Sequence, residues 1–339
     1  MLNNIGTAER PAVDFQVGPV EIRWHSGLPV FASPQFLKLI AGEHGWLGGT
    51  DVTGRLRFVL PFTVIRKPGF RLIRFPTETV ALGEEASVGE EKSFLNAVIR
   101  QLSSGSADLI LPANNTALFR TYPNGAAAAP YGTFLKDLNQ SEEALWREVS
   151  EAYRKDIRRA AKNGVEVHSG LEYMPAAHNM IATTLRRSGM SFKKYSEFES
   201  LVLGLGDHVK VFAAVRDGVV QACLVAPFSA YAAYTWYGGT LAQPVKGSMH
   251  LVHWEAIRAF RRMGVQRFNF TGVRINPTKG SKQAGIAEFK QRFGGKLLTG
   301  FMWKYSFHFL KYAAYSVAIR AFAGGDVVDQ ERHKLVHAK

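Results

Sequence analysis

A short stretch near the C-terminus combines a lysine with two phenylalanines at a spacing that could support chemistry. Phe289 and Phe293 lie four residues apart, so in the helix predicted for Ile286–Phe293 they share one face and Lys290 must point elsewhere. A lysine fixed beside a buried aromatic pair can stabilise an anionic leaving group or a developing oxyanion. The alternative is a surface lysine on a packed helix, which the spacing alone favours.

Polar side chains follow the strand predicted just upstream, over Gln266–Phe270. Asn269 lies near the end of this strand and can orient a substrate through its amide. Arg274, Lys279 and Lys282 come next in a glycine-rich loop. We expect Arg274 to reach a phosphorylated substrate.

The loop before the helix predicted for His250–Met263 contains Lys246, Gly247 and Ser248. The free N–H groups at a helix N-terminus, with a lysine beside them, can hold a phosphate or a carboxylate. The alternative is an ordinary helix start with Ser248 as the capping residue. Both interpretations place these residues directly before the first helical turn.

A basic helix is predicted from Ser141 to about Lys162. Arg154 and Arg158 are four residues apart and therefore neighbours on its surface. They could form a ridge that binds phosphates of a substrate. The alternative is that the cations only complement the negative end of the helix dipole on a solvated face.

Aromatic residues and histidines elsewhere give weaker indications. Tyr237 ends the aromatic-rich strand predicted for Ala230–Tyr237 and could line a ligand groove, although such residues more often belong to the core. His250 and His253 are three residues apart on a helix, but no carboxylate or thiolate joins them at metal-ligand spacing. We therefore interpret the histidines as structural or surface residues and predict no metal site.

Two of these stretches resemble the Fem-type peptidoglycan-bridge aminoacyltransferases and their relatives. Arg-x-x-Ile-Arg-Arg-Ala-x-Lys-x-Gly-Val, beginning at Arg154, is similar to the interdomain motif of that family, and Phe-Lys-x-x-Phe-Gly, beginning at Phe289, is similar to its C-terminal motif. The resemblance covers most of the chain, from about Val20 to Tyr305. It implies two acetyltransferase-like (GNAT) domains in tandem, with Lys290 as the catalytic group.

The chain also departs from the family pattern. Asn269 stands where the family's strand end usually has an aspartate, which puts an acid or base role at that position in doubt. The segment between Val167 and Val209 is too short for the long helical arm of the best-known members, so the chain resembles a short form. The loop before Lys246 lacks the glycine pattern with which GNAT enzymes hold acyl-CoA.

Composition limits the partners and the compartment. The 339 residues carry a formal net charge of +14, which favours nucleic acids, nucleotide-sugar diphosphates or an anionic membrane surface as partners. The single cysteine, Cys223, excludes an intrachain disulfide and lies in an apolar strand pattern typical of a core thiol. No signal peptide or membrane-spanning segment is recognisable, so we expect a cytoplasmic protein, with the inner face of the membrane as an alternative.

The predicted fold class is α+β, with tandem GNAT-like domains that each have a mixed central sheet flanked by helices. The order of predicted elements places the N-terminal domain in residues 1–140 and the C-terminal domain in residues 141–339. Pro123–Pro130 is predicted to be a loop near the boundary. The apolar stretch Trp303–Phe322 is predicted to be a docked C-terminal helix, with a position on a membrane surface as the alternative.

The expected function is acyl or aminoacyl transfer from aminoacyl-tRNA or acyl-CoA to an amine acceptor, which could be a nucleotide-sugar or lipid-linked cell-envelope precursor. We expect no tightly bound cofactor. The alternative from another class is a non-catalytic protein that binds nucleic acid or an anionic surface. The sequence does not give the acceptor, the transferred group, the pathway or the oligomeric state.

Overall fold

The computed structural model describes residues 14–83, 86–105, 107–112, 116–323 and 326–337. The chain forms two compact units, each assembled from separate segments. The first unit comprises residues 1–23, 41–131 and 299–339, and the second comprises residues 24–40 and 132–298.

Both units contain strands and helices in alternation. The strands are β1 (Gln16–Val20), β2 (Glu43–Thr50), β3 (Leu56–Lys67), β4 (Phe70–Phe75), β5 (Val80–Ala81), β6 (Leu109–Pro112), β7 (Ala127–Asp137), β8 (Glu166–Ser169), β9 (Val209–Arg216), β10 (Val219–Pro227), β11 (Ala233–Tyr234), β12 (Tyr237–Thr240), β13 (Arg267–Val273) and β14 (Lys296–Ser306). The α-helices are α1 (Pro34–Ile40), α2 (Val88–Leu102), α3 (Glu142–Glu148), α4 (Glu151–Lys162), α5 (Met174–Arg186), α6 (Tyr195–Gly204), α7 (Ser248–Arg262), α8 (Lys282–Arg292), α9 (Phe309–Ala323) and α10 (Val327–His337).

The sheets of both units are consistent with the predicted fold class. In the first unit the order is β1-β2-β3-β4-β6-β14, with β5 beside β3; β4 and β6 run parallel. In the second unit, β13 pairs antiparallel with β7 and parallel with β11. A separate antiparallel sheet of that unit has the order β12-β10-β9-β8. The α+β prediction, with mixed sheets and flanking helices, is confirmed.

The boundaries of the two units differ from the predicted boundary at residue 140. Residues 24–40 belong to the second unit and residues 299–339 to the first, so each of these segments packs in a different unit from its neighbours in the sequence. In the second unit, the ring centroids of Phe31 and Tyr234 lie 4.8 Å apart. In the first unit, those of Trp303 and Phe119 lie 5.3 Å apart. A division at a single point of the chain cannot reproduce both contacts.

Helix α2 anchors the core of the first unit. Ser87 and Glu90 form a reciprocal capping box at its N-terminus, which satisfies two backbone N–H groups that would otherwise lack partners. The ring of Phe94 then stacks on Phe58 of β3 at 5.1 Å between centroids. This aromatic stack places α2 against one face of the sheet.

In the second unit, the sheet that contains β10 has a core on each face, one against α7 and one against α5. Phe260 of α7 lies 5.6 Å from Phe212 of β9, measured between ring centroids. Cys223 of β10 is completely buried, and its Sγ donates to the carbonyl oxygen of Ala177 at 3.7 Å. Burial raises the pKa of this thiol to about 12, so the expectation of a core thiol is confirmed.

The predicted basic helix is in fact two helices. Val149 adopts an extended conformation (φ −69°, ψ 131°), which ends α3 before α4 begins at Glu151. Arg154 donates to the carbonyl oxygens of Trp146 at 3.3 Å and Arg147 at 3.0 Å. The sequence predicted one helix because the apolar spacing continues through the break. The carbonyl groups at the end of α3 are satisfied by the guanidinium of Arg154, so the break leaves them with a hydrogen-bond donor.

Three predicted segments have different bounds in the structure. The strand predicted for Ala230–Tyr237 is two strands, because β11 pairs with β13 whereas β12 pairs with β10. The loop predicted for Pro123–Pro130 is strand from Ala127 onwards. The strand predicted to start at Val20 ends there instead. Each difference reflects pairing with a strand that is distant in the sequence.

The C-terminal apolar stretch packs within the first unit as helix α9, but the predicted helix bounds are wrong at the start, since Trp303 lies in β14 and α9 begins at Phe309. Tyr312 and Tyr315 contact a cluster formed by Leu72, Leu109 and Leu111. Across the described residues, no helix combines the length and the apolar character needed to span a bilayer.

Candidate functional site

Lys290 lies inside the second unit, where α8 packs against β13. The residue is only 8% exposed. Its Nζ donates to the carbonyl oxygens of Thr271 at 3.0 Å and Gly272 at 2.8 Å. Burial lowers the pKa of Lys290 to about 8, because the charged form loses its hydration. Lys290 is therefore not the surface lysine that spacing alone favoured.

The two carbonyl groups belong to an irregularity in β13. The register between β13 and β7 shifts between Asn269 and Gly272, and Thr271 has a positive φ of 62°. The Oδ1 of Asn269 accepts from the backbone N–H of Thr271 at 2.7 Å and lies 2.7 Å from the hydroxyl of Thr133. Asn269 thus stabilises the β-bulge. Bulges of this kind are common beside active sites, where they change the direction in which a side chain points.

Helix α8 is positioned by an aromatic cluster. Phe293 is fully buried and Phe289 half-buried. The ring centroid of Tyr153 on α4 lies 5.3 Å from Phe293, and that of His253 on α7 lies 5.1 Å from Phe289. His250 lies 4.1 Å from Tyr153. The predicted aromatic pair therefore joins three helices, and the Nζ of Lys290 on α8 reaches the backbone of β13.

His253 is buried in this cluster as a neutral ring. Its Nδ1 lies 2.9 Å from the carbonyl oxygen of Met249. Burial lowers the pKa of His253 to about 4. The interpretation of His253 as a structural residue agrees with this position.

We expect His253 to make folding sensitive to acid. An unfolded chain binds a proton near the ordinary pKa of 6.5, whereas the folded chain does so only near 4, so stability is lost as the pH falls through this window. The free energy of unfolding should fall between pH 7 and pH 5 by about 2 kcal/mol more in the wild type than in His253→Gln. Urea denaturation at both pH values measures the difference. A His25→Gln variant, altered at an exposed histidine, should keep the wild-type slope.

Lys246, Gly247 and Ser248 lie at the N-terminus of α7, as predicted, but Ser248 is not the cap. Gly247 occupies the capping position in a left-handed conformation (φ 92°), and the hydroxyl of Ser248 donates to the carbonyl oxygen of Val245 at 2.7 Å. The Nζ of Lys246 lies 3.9 Å from the carboxylate of Asp156, and its side chain is 67% exposed. Because this ion pair is loose and the side chain is mostly exposed, Lys246 is available to a ligand.

Arg154 and Arg158 lie near each other but are engaged within the unit. Arg154 holds the end of α3, as described above, and the guanidinium of Arg158 lies 5.4 Å from the ring centroid of Trp146. Lys155 on the same helix pairs with Glu151 at 2.9 Å. These contacts give the cations structural partners, and the phosphate-binding ridge stays a prediction.

Tyr237 and Arg274 are the two remaining predicted substrate-binding residues. The hydroxyl of Tyr237 accepts from the Nζ of Lys193 at 2.9 Å, and its ring packs 5.1 Å from Phe192. Arg274 is half-buried and follows directly after β13, two residues beyond the Gly272 carbonyl that Lys290 contacts. Of the two, Arg274 is the one placed next to the bulge in the sequence.

A buried ion pair at the end of α8 was missed by the sequence analysis. Lys136 of β7 is 1% exposed and pairs with the carboxylate of Glu148. Burial lowers the pKa of Lys136, and Glu148 opposes this change. A Cβ at Gly294 would lie 2.7 Å from the Nζ of Lys136, so a side chain at this position would collide with the ion pair. Side chains two residues apart in a strand face the same side of the sheet. Lys136 follows Phe134 at this spacing, which could have indicated a buried lysine that needs an acidic partner.

The described part of the chain holds no group of three or more His, Cys, Asp or Glu side chains arranged to bind a metal ion.

Comparisons with known proteins identify the fold. No family profile matches the sequence, and no curated protein matches it significantly. The crystal structure of FemX matches with a TM-score of 0.64 at 12% identity, over 84% of this chain and 94% of FemX. A conserved protein of unknown function from Bacteroides thetaiotaomicron matches with a TM-score of 0.52 at 10% identity, over 82% and 91% of the two chains. A tandem GNAT protein from the clavulanic acid biosynthesis pathway matches with a TM-score of 0.44 at 14% identity, over 78% and 83%. The match to FemX shows that the chain has a FemX-like fold.

Proposed function

We propose that this chain, with its Fem-type fold, transfers an acyl or aminoacyl group from an activated donor to an amine. The observation that carries the proposal is Lys290, a buried lysine with a pKa of about 8 that is held at a strand bulge by two backbone carbonyls. The acceptor amine attacks the ester or thioester carbonyl and forms a tetrahedral oxyanion. Collapse of this intermediate forms the amide and expels the tRNA hydroxyl or the CoA thiol.

Lys290 has the capacity to stabilise this oxyanion or the leaving group. An ammonium group has three N–H donors, and the carbonyls of Thr271 and Gly272 use two of them, which leaves one for a substrate. A positive charge with little access to water acts more strongly on a developing negative charge than the same charge would in water. Because two hydrogen bonds fix its position, the charge need not reorganise during the reaction.

Lys246 and Arg274 are the proposed contacts for donor phosphates. Lys246 is mostly exposed beside the N–H groups that begin α7, and its distance of 3.9 Å from Asp156 indicates a weak ion pair that a phosphate could replace. The net charge of +14 further supports a polyanionic donor or acceptor. Aminoacyl-tRNA and acyl-CoA both meet this requirement, and both are cytoplasmic, so the proposed site of action is the cytoplasm.

The proposed acceptor is a cell-envelope precursor that carries both an amine and phosphates. A nucleotide-sugar or lipid-linked cell-envelope precursor with a free amine would combine the nucleophile with phosphates for the basic residues. A lipid-linked acceptor would place the reaction at the inner face of the membrane.

The test is to incubate the purified protein with acyl-CoA and with aminoacyl-tRNA side by side at physiological salt. Saturable acyl-CoA binding that free CoA displaces would assign a CoA-dependent transferase. Binding of charged tRNA that weakens on deacylation would assign a tRNA-dependent one. RNA binding that falls steeply with salt, with neither donor consumed in the presence of amine acceptors, would reject the proposal in favour of a non-catalytic nucleic-acid-binding protein.

A further inference from the structure

Helix α9 presents an apolar face that the described residues of its own unit leave uncovered. Leu310, Ala313, Ala314 and Val317 are exposed and follow the spacing of a single helical face. Leu310 is 81% exposed and Val317 69%, and Phe309 beside them is 80% exposed. Large exposed apolar side chains that are contiguous, rather than scattered, indicate an interaction surface.

The opposite face of α9 fixes the helix in this orientation. Tyr312 and Tyr315 pack in the leucine cluster that includes Leu109. The Nζ of Lys311 donates to the carboxylate of Asp108 at 2.7 Å. The exposed residues are therefore not part of an unpacked core, because the helix already has a buried face and an ion pair that hold it in place.

The sequence around α9 is free of acidic residues. No Asp or Glu occurs between Glu288 and Asp326, whereas α9 itself contains Lys311 and Arg320. An apolar helical face in a stretch that carries only positive formal charges is typical of helices that lie at the surface of an anionic membrane.

The adjoining β3–β4 hairpin adds positive charge beside the helix. Phe70 of this hairpin packs in the same cluster as α9 and pairs in register with Lys67. Lys67 is exposed, and Arg66 and Arg71 share the single carboxylate of Glu43. The cations of the hairpin therefore outnumber their described acidic partners.

We propose that α9 docks on the surface of an anionic phospholipid bilayer. Phe309, Leu310 and Val317 enter the region between the headgroups, and Lys67 contacts lipid phosphates. The helix lies in the plane of the surface, since its 15 residues are too few to cross a bilayer. The combination of apolar side chains with surplus positive charge favours anionic lipid over a second copy of this basic chain as the occupant. This proposal does not depend on acyl transfer.

The experiment is co-sedimentation of the full chain with vesicles of phosphatidylcholine alone and of phosphatidylcholine mixed with phosphatidylglycerol. We expect binding only to the mixed vesicles, weakened by salt. Phe309→Ser with Leu310→Ser should lower the partition coefficient about tenfold, because two large apolar side chains no longer enter the lipid. Val52→Ser is the matched control, since Val52 is 82% exposed in the turn before β3 of the same unit, and it should bind like the wild type.

Three results would overturn the proposal. The first is equal binding to both kinds of vesicle or to neither. The second is unchanged partition in a double variant that keeps the wild-type circular dichroism. The third is a dimer in solution that Leu310→Ser dissociates, with no vesicle binding by the wild type, since a second copy would then be the occupant of this face.

Discussion

Lys290→Met is expected to lower kcat/KM for acyl transfer by a factor of about 10² to 10³, the range found when one preorganised donor to an oxyanion is removed. Methionine fills a similar volume but cannot donate a hydrogen bond or carry charge. Steady-state kinetics with the donor identified by the binding experiment measures the change. Lys296→Met, at an exposed lysine nearby in the sequence, should leave kcat/KM unaltered.

The pH dependence gives this prediction a second, independent measurement. The ammonium form of Lys290 is present below its pKa of about 8 and is lost as the pH rises through that value, so wild-type activity should decline there. The depressed pKa also means that folding pays for the buried charge below pH 8, and this cost disappears as the pH rises towards 10.5. In Lys290→Met the cost is absent, but the Gly272 carbonyl loses a donor, so we expect the unfolding midpoint to change little.

Wild-type turnover in a folded Lys290→Met protein would remove Lys290 from the proposed mechanism. A variant that binds the donor normally but no longer turns it over would support the role in stabilising charge during the reaction. Loss of both folding and activity would assign Lys290 to the support of the β13 bulge.

Gly247→Ala is expected to lower the free energy of unfolding by more than about 3 kcal/mol, through left-handed strain and a backbone collision together. The φ of Gly247 is 92°, and a Cβ there would overlap the carbonyl oxygen of Asp156 and approach Ala160 at 3.3 Å. Since Asp156 and Ala160 belong to α4, either α4 or α7 must move. Urea denaturation at neutral pH measures the loss.

The control for this prediction is Gly280→Ala. Gly280 also has a positive φ, 77°, but nothing lies within 4 Å of a Cβ there, so only the conformational cost of about 1–2 kcal/mol applies. Equal losses in the two variants would show that the contact between α4 and α7 at Gly247 adds nothing to stability.

Local patterns were enough to place helix α8 but not to show which groups its lysine contacts. The spacing of Phe289 and Phe293 predicted a helix with the lysine pointing away, and α8 has that arrangement. The partners of Lys290 are backbone carbonyls of a bulge with Thr271 at a positive φ, a conformation that threonine rarely adopts. No residue pattern indicates a bulge of this kind, so its position could not be predicted.

Features that depend on how separate elements pack were the ones that the sequence did not reveal. Lys136 and Glu148 lie on separate elements, and only the fold brings their side chains together. The segment around Phe31 gave no sign that it packs with Tyr234. In both cases apolar periodicity carries no information about which element supplies the partner.

The reactivity of the buried thiol of Cys223 can be used to measure local opening of the fold around β10. Because Cys223 is fully buried with a pKa of about 12, a thiol-specific reagent can modify the native protein only when β10 separates from α5. With no second cysteine in the sequence, each modification event counts one opening of this sheet. A cysteine introduced at an exposed position would react far faster, so fluorescent labels can be attached there without first replacing the native residue.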